Sequence, residues 1–106
     1  LYVDDLAVAA VHLMNLKPET YWSVASERLS HINVGAGDDI SILELARLIK
    51  QVIGYQGELV CDESMPDGTP RKLMDSTKAI SLGWRSKVDL NVGLIKTYTE
   101  FLKIKR

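Results

Sequence analysis

Residues 66–75, Pro-Asp-Gly-Thr-Pro-Arg-Lys-Leu-Met-Asp, deliver two adjacent cations from a stiffened turn. Pro66 and Pro70 fix φ, and Asp67-Gly68 supplies a tight, permissive turn. Such a loop presents Arg71 and Lys72 at a defined place, which suits a phosphate or pyrophosphate. Asp75 follows three residues after Lys72 and can cap a helix. On its own the string also fits an ordinary turn followed by two solvated cations, so the surrounding residues must decide.

Other chemistry is sparse. A dinucleotide-binding turn needs a glycine-rich stretch between a strand and a helix, so that backbone can approach the pyrophosphate. Gly35-Ala36-Gly37 is too short and runs into Asp38-Asp39, whose carboxylates repel phosphate. It reads as a structural turn. His12 and His31 are not at metal-ligand spacing, and Cys61 has no CxxC partner, so no metal site is expected. Asp4-Asp5, Asp38-Asp39 and Asp62-Glu63 read as caps and solvated turns rather than acid–base pairs. Cys61 follows Leu59 and Val60 and is expected to be buried filler.

Composition bounds the rest. The 106 residues support one small domain at most, and 46% hydrophobic content is that of a globular chain. With 13 basic and 14 acidic residues, net charge −1, there is no footprint for nucleic acid or an anionic membrane. Lys103, Lys105 and Arg106 form a short basic end that reads as a solvated tail. A single cysteine excludes an internal disulfide and fits a reducing compartment. No secretory signal or long apolar run is present, so no membrane span is expected.

The elements that must position the cations follow from periodicity and caps. A first helix is predicted from about Asp5 to Asn15, capped by Asp4 or Asp5. Leu6, Ala10, Leu13 and Met14 share its buried face, and His12 is on its surface. Residues 17–30 read as a connection, with Tyr21 and Trp22 anchoring it to the core. Ile32–Val34 reads as a short strand flanked by His31. Ser41 and Glu44 form a capping box, and Gly54 stands at the helix end. Ile42, Leu45, Ala46, Leu48, Ile49, Val52 and Ile53 give that helix its apolar stripe. Glu58–Cys61 reads as a second short strand. Asp75 caps a short helix over 76–82, Gly83 stops it, and Trp84 packs back on the core. Asp89 caps a last helix from Leu90 to about Lys103. Its buried stripe is Leu90, Leu94, Tyr98, Phe101 and Leu102. Arg71 has an alternative use, pairing with Asp67 or Asp75 to hold its own loop.

Taken in order, Leu1–Ala7 (LYVDDLA), His31–Ile42 (HINVGAGDDISI), PDGTPRK at 66–72, DSTKA at 75–79 and LGW at 82–84 resemble extended short-chain dehydrogenases acting on nucleotide sugars. The closest likeness is to the GDP-L-fucose synthase family, and it covers essentially the whole chain but only the last third of such an enzyme. The resemblance implies an α/β fold: the C-terminal substrate-binding part of a Rossmann-like enzyme, helix-rich with a few short strands. It implies that residues 1–106 form a single region lacking the upstream dinucleotide-binding half, with an incomplete sheet edge. That missing half would bind NADP. The superfamily's Tyr-x-x-x-Lys pair is absent, since Tyr2, Tyr21, Tyr55 and Tyr98 have no lysine four residues on. No catalytic residue is therefore expected here. Lys72 matches the lysine that contacts the substrate diphosphate, and Arg71 is its neighbour. The resemblance further implies a GDP-sugar partner, a homodimeric intact enzyme and a cytoplasmic location. Two alternatives stand beside it: another nucleotide-sugar epimerase or dehydratase, and a free-standing non-catalytic binding domain.

Overall fold

A computed structural model describes residues 1–104. Lys105 and Arg106, the end of the expected basic tail, lie outside the described residues. The elements are α1 (Val3–Met14), α2 (Pro18–Trp22), α3 (Ile42–Ile53), α4 (Thr77–Ser81) and α5 (Leu90–Ile104). Among the described residues the β pairing is confined to an isolated antiparallel bridge between Ser26 and Leu29. None of their helices is long and apolar enough to cross a membrane. The chain divides into two compact units. The first joins Leu1–Asp38 to Leu73–Asp89, and the second joins Asp39–Lys72 to the chain from Leu90.

In the first unit, Ala9, Ala79 and Trp84 form the buried cluster, with Ile32 and Val34 packed against it. Helix α1 is apolar on nearly every side, so its sequence does not choose a face. Hydrogen bonds choose it. One carboxylate oxygen of buried Asp5 accepts the backbone N–H groups of Lys87 and Val88, each at 2.9 Å. His12 Nε2 lies 2.7 Å from the Leu82 carbonyl, so His12 is half-buried rather than on the surface. The inward face therefore runs through Asp5, Ala9 and His12. Of the face expected from periodicity, Leu13 is half-buried, but Ala10 is exposed, Leu6 is 50% and Met14 86% exposed, which corrects the rest. The helix also begins earlier than expected, with Tyr2 at its N-cap and no side-chain cap bond. Asp5 is spent on a contact across the chain, not on capping.

Residues 17–30 are more ordered than a plain connection. Pro18 opens α2, where its missing N–H costs nothing. The Tyr21 hydroxyl donates to the Ser30 carbonyl, and the Tyr21 and Trp22 rings meet edge to face. Asp75 stands one residue before Ser76, the N-cap of α4, and no side chain fills the cap itself, which corrects the expected Asp75 cap. Asp75 Oδ1 accepts from the Thr77 backbone N–H at 2.9 Å and from the Thr77 hydroxyl. Gly83, at φ 91°, turns the chain out of the helix, and Trp84 is buried with its backbone N–H donating to the Ala79 carbonyl.

Neither expected strand is paired in a ladder among the described residues. Ile32 and Val34 still face the cluster while His31 and Asn33 are exposed, the two-residue alternation of an extended segment. The pattern is legible, but a strand needs a neighbour for its backbone groups. Residues 58–61 are exposed throughout, and Cys61 is an exposed free thiol instead of buried filler.

In the second unit α3 packs on α5. The capping box is complete. Ser41 Oγ accepts the Glu44 N–H at 3.1 Å, and Glu44 Oε2 accepts the Ser41 N–H at 3.1 Å. Gly54 ends the helix at φ 70°, a left-handed position that glycine takes without strain. Leu45, Ala46, Leu48 and Val52 are half-buried, whereas Ile42, at the first turn, is largely exposed and Ile49 and Ile53 are exposed as well, so the stripe is narrower than expected. On α5, Gly93 is buried and Leu94 and Tyr98 are half-buried. Leu90, Phe101 and Leu102 are exposed, so the buried stripe of α5 is narrower than expected.

Candidate functional site

The cation loop lies in the second unit, beside the start of α3. An open hollow of about 850 Å³ is lined by Asp39–Ile42, Glu44 and residues 67–72. That volume falls in the range of small-molecule sites. Ser41 and Ile42 bring the N-terminal, electropositive end of α3 to it. Both expected site residues, Arg71 and Lys72, are part of the lining.

The two cations differ in state. The Arg71 guanidinium donates to Asp39 Oδ2 and forms an ion pair with it. That hydrogen bond is the main reason the Asp39 carboxyl sits below its ordinary range, and it holds the Arg71 proton more firmly. Lys72 is exposed, with no hydrogen bond or ion pair among the described residues. Arg71 was expected to face either a phosphate or Asp67 or Asp75. Asp75 is taken up by Thr77, and Asp39 takes Arg71. Sequence reasoning missed Asp39, which lies 32 residues from its partner inside what read as a solvated turn.

Charge in the hollow is mixed. Asp39, Glu44 and Asp67 line it with Arg71 and Lys72. Asp39 is neutralised by Arg71. Glu44 is held ionised by the Ser41 hydroxyl first and the Ser41 N–H second, both lowering its pKa. Asp39 and Glu44, both lowered from their ordinary values, have no proton to give at neutral pH. The arrangement can bind an anion through Lys72 and the helix end.

The extended segment that leads into the glycine turn at 35–37 is not paired as a strand, and α3 begins only at Ile42. A Cβ on Gly35 would lie 3.1 Å from Ser76 Oγ, so this glycine serves internal packing. Among the described residues, no three of His, Cys, Asp and Glu are grouped to hold a metal ion.

No family model matches the chain. GDP-L-fucose synthase of Escherichia coli (strain K12) is 50% identical over 103 residues, 97% of this chain and 32% of that protein. Probable GDP-L-fucose synthase 1 of Oryza sativa subsp. japonica is also 50% identical over 103 residues, covering 97% and 29%. Among solved structures, a GDP-6-OMe-4-keto-L-xylo-heptose reductase from C. jejuni matches with a TM-score of 0.81 at 39% identity, covering 97% of this chain and 30% of that one. MlghC, a GDP-mannoheptose C4 reductase from Campylobacter jejuni with NADP bound, matches at 0.76 and 38% identity, covering 93% and 29%. The chain thus spans about a third of the length of the relatives it matches. The chain matches the C-terminal part of GDP-L-fucose synthases, and its fold is that of the C-terminal part of an extended short-chain dehydrogenase.

Proposed function

We propose that this chain is the nucleotide-sugar-binding, C-terminal part of an NADP-dependent GDP-L-fucose synthase. The intact enzyme epimerises C3 and C5 of GDP-4-keto-6-deoxymannose and reduces C4. Residues 1–106 act there as a single substrate-binding region. NADP is held by the enzyme's other half, in keeping with the poor fit of the Gly35–Gly37 turn to a dinucleotide. The same reading takes the enzyme to be a cytoplasmic homodimer.

The observation that carries this reading is the unpaired Lys72 in the hollow beside the start of α3. A charge-assisted contact between its ammonium and a diphosphate is worth about 1.5–3 kcal/mol. In the intact protein, Lys72→Met should weaken GDP binding about ten- to a hundredfold and leave NADPH binding unchanged. Calorimetric titration of GDP and of NADPH decides it. Unchanged GDP affinity would make the loop a solvated turn.

A second reading is another GDP-sugar reductase, favoured by the two heptose reductases among the solved structures. It keeps the diphosphate contact at Lys72 and changes only the sugar. Turnover of GDP-4-keto-6-deoxymannose against a GDP-keto-heptose separates the two.

A further inference from the structure

The loop that carries the two cations is almost untethered. Among the described residues, nothing in 66–72 makes a backbone hydrogen bond, and the Arg71–Asp39 pair is the segment's one polar tie. All seven residues are exposed. Pro66 and Pro70 fix φ at two points. Two stiff points alone do not place a loop in space, and a further anchor narrows where it can go. Arg71 supplies it one residue before Lys72, across one peptide unit. Its partner, Asp39, stands two residues before Ser41, whose side chain is locked into the capping box of α3. The anchor therefore ties the loop to the approach of a rigid helix.

From this single tie we infer that Asp39 is a positioning residue for the diphosphate site. It holds Arg71 so that Lys72 is presented, free, at the hollow. The inference rests on the reading of Lys72 as the diphosphate contact. Arg71 then acts as the loop's anchor and not as a second phosphate ligand. A loop held in its binding conformation loses less entropy when Lys72 engages an anion.

Charge alone predicts the opposite effect of removing Asp39. Taking a carboxylate away from an anion site, and releasing an arginine into it, should tighten GDP binding. Positioning predicts weaker binding. The sign of the change therefore separates the two.

The experiment is calorimetric titration of GDP into the intact protein and its variants. Asp39→Asn should weaken GDP binding about two- to fivefold, the scale of an exposed ion pair, and leave NADPH affinity and thermal midpoint unchanged. Arg71→Met should match it, and the double variant Asp39→Asn/Arg71→Met should be no worse than either. Asp39→Glu should retain near-wild-type affinity. In a Lys72→Met background, Asp39→Asn should have no further effect, because its influence runs through Lys72. Unchanged or tighter GDP binding in Asp39→Asn overturns the inference. An undiminished effect in the Lys72→Met background overturns it as well. If Lys72→Met itself binds GDP normally, the functional reading and the inference fall together. If Lys72→Met is weakened and Asp39→Asn is not, the inference alone falls.

Discussion

One carboxylate oxygen of Asp5 lies 2.9 Å from the backbone nitrogen of Val88, 83 residues further along the chain. The same oxygen accepts the N–H of Lys87, so a single buried acceptor serves two consecutive backbone donors. This clamp joins α1 to the segment that follows Trp84, within the first unit. Asp5→Ala would strand both donors and should cost about 1.5–3 kcal/mol, the range of hydrogen bonds to a charged group. Asp5→Asn keeps a neutral acceptor and should cost less. Urea melts of the two variants test this. An Asp5→Ala protein as stable as wild type would show that water replaces the carboxylate freely.

The capping box of α3 makes a prediction in pH. Glu44 titrates below its ordinary value of 4.5 because Ser41 donates to it. A lowered folded pKa means that its stabilisation is fully present above the unfolded value. It is lost as pH falls through the folded pKa. The stability difference between wild type and Glu44→Gln should therefore be constant from neutral pH to about 5 and change below 4.5. Ser41→Ala removes the reciprocal bonds and should cost about 1 kcal/mol at neutral pH. Melts at stepped pH would reveal both. A difference that moves between pH 7 and pH 5 would sink the assignment to Glu44.

Ser76 gives the opposite kind of variant. Its hydroxyl is buried without a hydrogen-bond partner. Ser76→Ala removes an unsatisfied polar atom and should be neutral or stabilising by up to about 1 kcal/mol. Gly35→Ala should destabilise, since the new Cβ would meet Ser76 Oγ at 3.1 Å. That cost should shrink when Ser76→Ala is also present. Additive behaviour in thermal melts of the pair would show that the two positions do not touch.

Local chemistry made much of this chain readable. The Ser41–Glu44 box, the Gly54 stop, the short helix at α4 and the burial of Trp84 all follow from signals within a few residues of each other. What failed depends on partners distant in sequence. Helix α1 offers apolar side chains all round, and Asp5 picks the inward face through donors more than 80 residues away. The segments at 32–34 and 58–61 have strand-like composition, but pairing is set by a neighbour rather than by propensity. Arg71 and Lys72 could be singled out from their prolines and charge. The Asp39 partner could not, because a carboxylate in a turn carries no mark of the guanidinium that will reach it.

The exposed Arg71–Asp39 tether also makes the buffer part of the structure. Charges open to solvent are screened over about 10 Å at 0.1 M salt but over about 3 Å at 1 M. Added salt therefore acts twice at one place. It weakens the pull of Lys72 on a diphosphate, and it slackens the anchor that holds Lys72 in position. Affinity for the nucleotide should fall with ionic strength more steeply than a single lysine–phosphate contact would allow, with the excess gone in Asp39→Asn. Binding constants for this loop carry meaning only at a stated ionic strength.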